Sequence, residues 1–358
     1  MTADTASAVG SLPIPETLAE VLTPGWLTSA LRTRFPDVEV HDVTPGPVVS
    51  RVSCNARFRI EYTGAPDEEL PRDLCVKGYF SDMGNGEASA AGLSEAMFYG
   101  SLAATTGVRT LRPVYAAVDP ATRASIVITE DVEARGGSFL DPLSTYTPDQ
   151  VAESLEQFAT LHAATWMSPA VADAPWLASS LPHLLRSRGL PEIQGNFEGP
   201  IGAGVPTAVR DGRRLVDAYT VVAEEAVTAS PWTVMHGDAH VGNLFLDGEG
   251  RPCLVDWQLV QRGPWYIDVG YHIASTMPAD VRRGVERDLL RHYLDRLAAG
   301  GVDRPDEDEA RRLITRGIVH GFYLWAITLR VAPPITTELL TRLGTAAEDH
   351  EVLSAATR

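Results

Sequence analysis

The sequence predicts an α+β fold in which a small antiparallel sheet is followed by a mostly helical region. Three observations carry this. Between residues 40 and 132 the apolar residues fall in short runs separated by turn chemistry, and Ala56-Arg57-Phe58-Arg59-Ile60-Glu61-Tyr62 alternates at period two, as a half-exposed strand should. From Thr147 onward apolar residues recur at helical spacing. One stretch, residues 234–268, VMHGDAHVGNLFLDGEGRPCLVDWQLVQRGPWYID, gathers polar groups around a short hairpin.

In chain order, MTADTASAVGSLPIPE has neither the basic start nor the apolar core of a secretory leader, and residues 1–22 read as a flexible tail. Thr23-Pro24-Gly25-Trp26 opens a helix. Thr23 can cap it, Pro24 suits its first position, and Trp26, Leu27, Leu31 and Phe35 share one face before Pro36 stops it. Two strands are expected over 40–62, with a turn at Thr44-Pro45-Gly46-Pro47. Asp73 to Lys77 is a short strand ending on lysine. Gly84-Asn85-Gly86 is too incomplete a glycine pattern for dinucleotide binding. A helix over 87–104 carries Glu95 among Leu93, Ala96, Met97, Tyr99 and Leu102. Strands over 114–118 and 125–129 turn at Asp119-Pro120-Ala121-Thr122. Thr147-Pro148-Asp149-Gln150 gives a cap, a first-position proline and a capping-box glutamine. The helix it starts places Val151, Leu155, Phe158, Leu161, His162 and Trp166 on one side, with His162 expected as a hydrogen-bonded core residue. Residues 176–206, rich in Pro and Gly, read as a long loop with short helices. Helices follow over 210–229, 269–277, 282–299 and 309–330.

The chemistry concentrates in 234–268. Asp238 follows His236-Gly237, Asn243 comes five positions later, and Asp256 ends an apolar run. Asp247-Gly248-Glu249-Gly250 supplies a hairpin turn that would fold Asp238 and Asn243 back toward Asp256. Phosphoryl transfer needs positioning and charge neutralisation more than covalent chemistry. Asp238 suits the acceptor of a hydroxyl proton. Asn243 and Asp256 are hard oxygen ligands of the kind Mg²⁺ takes beside a triphosphate. His-Gly-Asp alone is a common tripeptide; the offsets and the intervening hairpin carry the specificity. The order of these groups is that of the protein-kinase catalytic and metal loops. His236 is expected to brace the loop.

HGDAHVGN followed by LVDW resembles the aminoglycoside phosphotransferase and choline kinase-like family, the phosphotransferase enzyme family. LVDWQLVQRGPWYIDVGYHIA is most similar to its ecdysteroid-kinase-like and related bacterial branch. There an Asp-aromatic-Gln is followed by Gly-Pro and an Asp-apolar-Gly/Ala-Tyr. The resemblance implies a bilobal, protein-kinase-like fold. Residues 23–132 would form a small antiparallel-sheet N-lobe that covers the nucleotide, and residues 133–358 a mostly helical C-lobe with the catalytic loop, metal site and acceptor pocket. It implies ATP and Mg²⁺ as cofactors, and Lys77 as the lysine on the α- and β-phosphates with Glu95, in SEAMFY, as its partner. The alternatives are a strand-end lysine and an ordinary helix glutamate. Where kinases place several glycines over the phosphates, this chain has Gly46, Ser50, Ser53 and Asn55, which makes Ser53 and Asn55 the candidate phosphate contacts. Adenine would bond backbone groups near Glu130 and Val132. His240, where protein kinases carry a phosphate-contacting lysine, is either a γ-phosphate contact or structural. Gln258 and Arg262 are candidates for the acceptor rim. His320, Tyr323 and Trp325 either line the acceptor site or belong to the core. Asp268 is expected to cap the next helix or brace the loop.

Composition narrows the reading. A net charge of −17 over 358 residues argues against a nucleic-acid partner, whose phosphates need a basic face. Hydrophobic residues at 44% and charged residues at 22% are those of an ordinary soluble protein. The three cysteines lack metal-like spacing and suit buried thiols in a reducing cytoplasm. No stretch approaches the apolar length of a membrane span. The expectation is a cytoplasmic monomer or homodimer, a kinase that moves the γ-phosphate of ATP to a small-molecule hydroxyl. Prominent Trp, Tyr, His and Arg in the last helices lean the acceptor toward a less charged, partly apolar alcohol. The alternative is a nucleotide-binding pseudoenzyme with a regulatory role, against which the intact Lys77, Asp238, Asn243 and Asp256 weigh. A protein kinase is disfavoured because Gly263-Pro264 stands soon after Asp256, where an activation segment would begin.

Overall fold

The computed structural model describes residues 12–84, 90–119, 121–187 and 189–355. The chain forms two compact units. The first runs to Ser138 and takes in Asp247–Gly250 and Val255–Leu259; the second holds Phe139–Leu246, Arg251–Leu254 and the chain from Val260. Asp256, expected within the C-lobe, therefore clusters with the N-terminal unit.

The first unit contains α1 (Leu18–Val21), α2 (Pro24–Leu31), β1 (Glu39–Ser50), β2 (Cys54–Thr63), β3 (Asp73–Gly78), α3 (Ala90–Met97), β4 (Pro113–Val118) and β5 (Ser125–Glu130). Its strands form one sheet in the order β1-β2-β3-β5-β4, with every neighbouring pair antiparallel. The period-two pattern of β2 buries Cys54, Ala56, Phe58, Ile60 and Tyr62. These meet Val76, Ile126 and Ile128 of the sheet and Leu27, Ala30 and Leu31 of α2 in one core. Thr23 caps α2 as its sequence predicts, accepting the Trp26 N–H at 3.4 Å.

Three expectations for this unit are corrected. The turn expected at Thr44–Pro47 does not occur, because β1 continues to Ser50 and turns at Arg51–Ser53. Its two prolines are tolerated because β1 is the edge of the sheet and slips register between Pro45 and Val48. A Cβ on Gly46 would lie 2.9 Å from the Arg57 carbonyl oxygen, so the bulge needs glycine there. Residues 12–22 are packed rather than loose. Thr17 caps α1, Asp82 takes the Leu18 N–H at 2.9 Å, and Leu18 and Val21 are buried. The helix expected to Ala104 reaches that far but is not uniformly α: it is π-helical over Phe98–Leu102 and α-helical again over Ala103–Thr106. Residues 1–11 of the tail, Asn85 and Gly86 of the glycine pattern, Glu87 at the expected helix start and Pro120 of the hairpin turn lie outside the described residues.

The second unit is mostly helical: α4 (Pro148–Thr165), α5 (Leu190–Glu198), α6 (Gly212–Thr228), then strands β6 (Thr233–Met235), β7 (Leu244–Leu246), β8 (Pro252–Leu254) and β9 (Gln261–Gly263), then α7 (Tyr266–Thr276), α8 (Ala279–Ala299), α9 (Thr315–Ala326) and α10 (Pro333–Asp349). The predicted capping box forms at α4, with Gln150 N to Thr147 Oγ1 at 3.3 Å and Thr147 N to Gln150 Oε1 at 3.0 Å. β7 and β8 make the expected hairpin, and β9 pairs with β6. Among the described residues no helix is long and apolar enough to cross a membrane.

The single helix expected over 309–330 is instead two, Glu307–Leu313 and α9, parted at Ile314. The reason is a close crossing with α7. A Cβ on Gly270 would sit 2.0 Å from the Ile314 carbonyl oxygen, and one on Gly317 would sit 2.4 Å from that of Ile267. α9 then stops at Ala326, whose carbonyl accepts from Asn196 Nδ2 at 2.8 Å. Bare backbone on both sides brings the polar face of α7 and the side chain of His320 against the same loop. Gly317→Ala is expected to lower unfolding free energy by about 2–3 kcal/mol through overpacking. Gly284→Ala on α8, whose added Cβ meets nothing within 4 Å, is expected to leave it unchanged or slightly raised. Urea denaturation of the two variants beside the native chain checks both.

Candidate active site

In the first unit β3 carries Lys77 on the partly exposed face of the sheet, with Asn55 as its cross-strand partner on β2. Lys77 Nζ lies 2.7 Å from Glu95 Oε2 and 3.0 Å from Asp256 Oδ1. The sequence-predicted lysine, helix glutamate and metal-loop aspartate thus share one ion-pair cluster. Asp256 has a φ of +68°, a left-handed conformation rare for a non-glycine residue and common where function holds strain. Trp257 anchors it. The indole stacks on Phe98 of the π-helical turn at 3.7 Å between centroids, and its Nε1 donates to Thr110 Oγ1 at 2.9 Å. Ser53 is buried at the β1–β2 turn, and its carbonyl accepts the Arg51 N–H at 3.0 Å. At the end of β5 the Glu130 carboxylate pairs with Arg135 at 2.8 Å, and the Val132 carbonyl accepts from Arg135 and Gly137 at 3.1 and 3.0 Å. Arg57 of β2 bonds Asp131 at 2.6 Å and also pairs with Glu133, tying the sheet to this segment. Gln258 Nε2 donates to Tyr79 OH at 3.4 Å.

In the second unit residues 236–243 form a loop whose backbone is held at almost every peptide. Asp268, fully buried at the start of α7, accepts the His236 and Gly237 N–H groups at 2.6 and 2.8 Å. Gly237 has a φ of +82°, which turns the chain so that both N–H groups converge on one carboxylate. His320 Nε2 donates to the Gly237 carbonyl at 2.8 Å, Asn243 Nδ2 to that of Asp238 at 2.8 Å, and His272 Nδ1 to that of Ala239 at 2.8 Å. His162 is the core histidine expected, bonded to Tyr293 OH at 2.8 Å and Asp268 Oδ2 at 3.2 Å. His236 braces the loop, its Nδ1 accepting the Asp238 N–H at 3.3 Å. His240 Nδ1 accepts the Gly242 N–H at 3.0 Å, which assigns its hydrogen to Nε2, 3.6 Å from Asp238 Oδ2. Tyr323 stacks on Tyr219 in the core, and Arg262 lies over Trp232.

Residues 201–311, which contain the whole of this loop and hairpin, match the phosphotransferase enzyme family. No curated protein matches the chain by sequence. Among solved structures, a Plasmodium vivax ethanolamine kinase superposes with a TM-score of 0.52 at 12% identity, over 94% of this chain and 88% of that one. A spectinomycin phosphotransferase crystallised with ADP and spectinomycin superposes with a TM-score of 0.50 at 11% identity, over 93% and 98%. At these identities the likeness shows the fold, which is kinase-like, with an antiparallel sheet first and helices after.

The electrostatics of these groups are set by burial against partners. Burial works against the Lys77 ammonium, but Asp256 and Glu95 outweigh it and raise its pKa, so it stays charged. Burial pushes the Glu95 carboxyl up against the pull of Lys77, and at 2.7 Å the two remain an ion pair. Burial likewise pushes the Asp238 carboxyl up, yet His240, His236 and Asn243 prevail and bring it down to about 2. The Asp268 carboxyl is also lowered, by His162, His236 and the Gly237 N–H, against its burial. No cluster of three His, Cys, Asp or Glu side chains suited to a metal occurs among the described residues. The donors present still fit Mg²⁺, which binds through one or two protein oxygens with the rest from phosphate and water. Asn243 spends its amide nitrogen on the Asp238 carbonyl, which leaves Oδ1 as its acceptor oxygen, and in the first unit Asp256 meets Lys77 through Oδ1. Sequence reasoning missed Tyr271 and His272 beside the loop. The signal was available: Asp268, Tyr271 and His272 fall at i, i+3 and i+4, on one face of a largely apolar helix.

Burial depresses the His272 pKa to about 4 and lowers that of His320. A depressed histidine is protonated more readily in the unfolded chain, so its contribution is intact above about pH 6.5 and is lost as pH falls toward 4. Unfolding free energy from urea titrations is therefore expected to drop by on the order of 3 kcal/mol across that window for His272 alone. Below pH 4 the depressed carboxyls of Asp238 and Asp268 extend the loss. Asp268→Asn, which leaves the loop N–H groups facing an amide, is expected to cost about 3 kcal/mol at pH 7 in the same assay.

Proposed function

We propose that the chain is an ATP- and Mg²⁺-dependent small-molecule kinase that transfers the γ-phosphoryl group to a hydroxyl of its acceptor. The observation that carries the reading is the Lys77 ammonium held between Glu95 and Asp256, a half-buried cation with a partly exposed aspartate beside it. A strand lysine fixed by a helix glutamate is the kinase device for holding the α- and β-phosphates. Ser53 and Asn55 lie on the hairpin that would cover those phosphates. Because the Val132 carbonyl is engaged by the turn after it, adenine would bond the Val132 N–H and the Glu130 carbonyl.

Asp238 is the proposed base. Its carboxyl is ionised throughout the neutral range and sits on a loop whose neighbouring peptides are pinned. As the acceptor oxygen bonds to the γ-phosphorus and the bridging oxygen leaves with ADP, Asp238 takes the hydroxyl proton. His240, engaged within the loop at Nδ1, steadies the base through Nε2; contact with the γ-phosphate would require its ring to turn. Asn243 and Asp256 would hold Mg²⁺, which when bound neutralises charge on the phosphates.

Mg²⁺-dependent ADP release across a library of hydroxylated small molecules tests the proposal. An acceptor is expected to stimulate turnover in the native chain. Asp238→Ala is expected to lower kcat about 100-fold or more. Lys77→Ala should weaken ATP use, and EDTA should abolish it. ATP binding without turnover for any compound would favour the pseudoenzyme, and absence of ATP binding would overturn the kinase reading.

A further inference from the structure

On α7 the buried side chains of Asp268, Tyr271 and His272 meet the 236–243 loop, and those of Asp268 and His272 hold its backbone. Tyr271 is the exception. Its hydroxyl donates to Asp238 Oδ1 at 3.1 Å, a contact to the carboxylate itself. The same oxygen accepts the Trp325 Nε1–H at 2.7 Å. An indole N–H can only donate, and a phenol has a single proton. The chain of bonds therefore runs one way, from Trp325 through Tyr271 to Asp238. Neither ring is free to drift. Tyr271 is 0% exposed and packs so tightly on α9 that a Cβ on Gly321 would lie 2.3 Å from its Cδ2. Trp325 is in the last turn of α9, next to the Ala326 carbonyl that Asn196 caps, and His240 packs edge-on to its ring at 5.3 Å.

A carboxylate turns readily about its terminal torsion, and either oxygen could meet a substrate hydroxyl. Here one oxygen is committed to Tyr271 and the other, Oδ2, lies 3.6 Å from His240 Nε2. We propose that Tyr271, oriented by Trp325, is a positioning residue for phosphoryl transfer, which ties down Oδ1 so that Oδ2 is the oxygen that receives the acceptor proton. This rests on the reading of Asp238 as the base. The proton passes from the acceptor hydroxyl to Oδ2 while its oxygen bonds to the γ-phosphorus. The bond from that phosphorus to the bridging oxygen breaks, and its electron pair leaves on ADP. Tyr271 keeps its own proton throughout.

The test compares the native chain with Tyr271→Phe, Trp325→Phe, the double variant and Asp238→Asn. ADP release is followed from Mg·ATP with water as the acceptor, and crystal structures of the native chain and Tyr271→Phe are solved. Tyr271→Phe is expected to lower kcat about ten- to a hundredfold while KM for ATP holds, with a modest fall in melting temperature because the buried Trp325 N–H loses its acceptor. Trp325→Phe is expected to act through the same bond, so that the double variant is no slower than Tyr271→Phe alone. The Asp238 carboxylate is expected to rotate in the Tyr271→Phe crystal. Native kcat in Tyr271→Phe, or an unmoved carboxylate with additive losses in the double variant, overturns the proposal. If ADP release is the same in the native chain and Asp238→Asn, the reading of Asp238 as base fails instead. The positioning proposal then falls with that reading, whatever the crystal structures show of the carboxylate, whereas a slow Asp238→Asn beside a native Tyr271→Phe overturns the positioning proposal alone.

Discussion

The buried carboxylate of Asp268 is the constraint on which the second unit depends. A fully desolvated carboxylate is tolerable only when each oxygen is met by donors. Asp268 finds them in two consecutive loop N–H groups and His162. The dependence is mutual, since those N–H groups, turned inward by the positive φ of Gly237, would be orphaned without it. From this knot the rest follows. α7 starts where Asp268 must be, its next polar positions fall on Tyr271 and His272, and the glycine-lined crossing brings His320 of α9 to the remaining carbonyl.

The first unit solves the converse problem. There a cation, Lys77, is placed in the sheet and matched by carboxylates from a helix and from a loop with a strained backbone. Charge placed against burial in this way persists only when the surrounding elements over-determine it. The π-helical turn after α3 and the stacked Trp257 do that, fixing Glu95 and Asp256 from two sides. Both units therefore present ionised groups whose state is decided by neighbours rather than by solvent.

Much of this was legible because it is local. Helix caps at Thr23 and Thr147, the hairpin between Asn243 and Asp256, and the alternation of β2 are spacing rules, and the structure follows them. The lysine, glutamate and aspartate of the ion-pair cluster were legible as residues because their order along the chain is informative even when their meeting is not. What escaped has non-local causes. Pro45-Gly46-Pro47 looks like a turn unless it is known that β1 lies at a sheet edge, where a bulge absorbs it. The grip of Tyr271 on Asp238 and of Trp325 on Tyr271 spans distant parts of the chain, so spacing could show only that α7 has a polar face. The tail looked loose by composition, yet a few apolar residues and one aspartate acceptor sufficed to pack its second half.

The prolines of β1 have a consequence for how the molecule behaves in company. An outer strand offers a ladder of free N–H and C=O groups to any extended chain that meets it, and the tip of this one exposes Val48, Val49 and Val52. Pro45 and Pro47 have no N–H to offer, and the bulge between Pro45 and Val48 breaks the regular repeat an incoming strand would need. A hairpin with an apolar tip thus carries its own gatekeepers against the addition of a further strand.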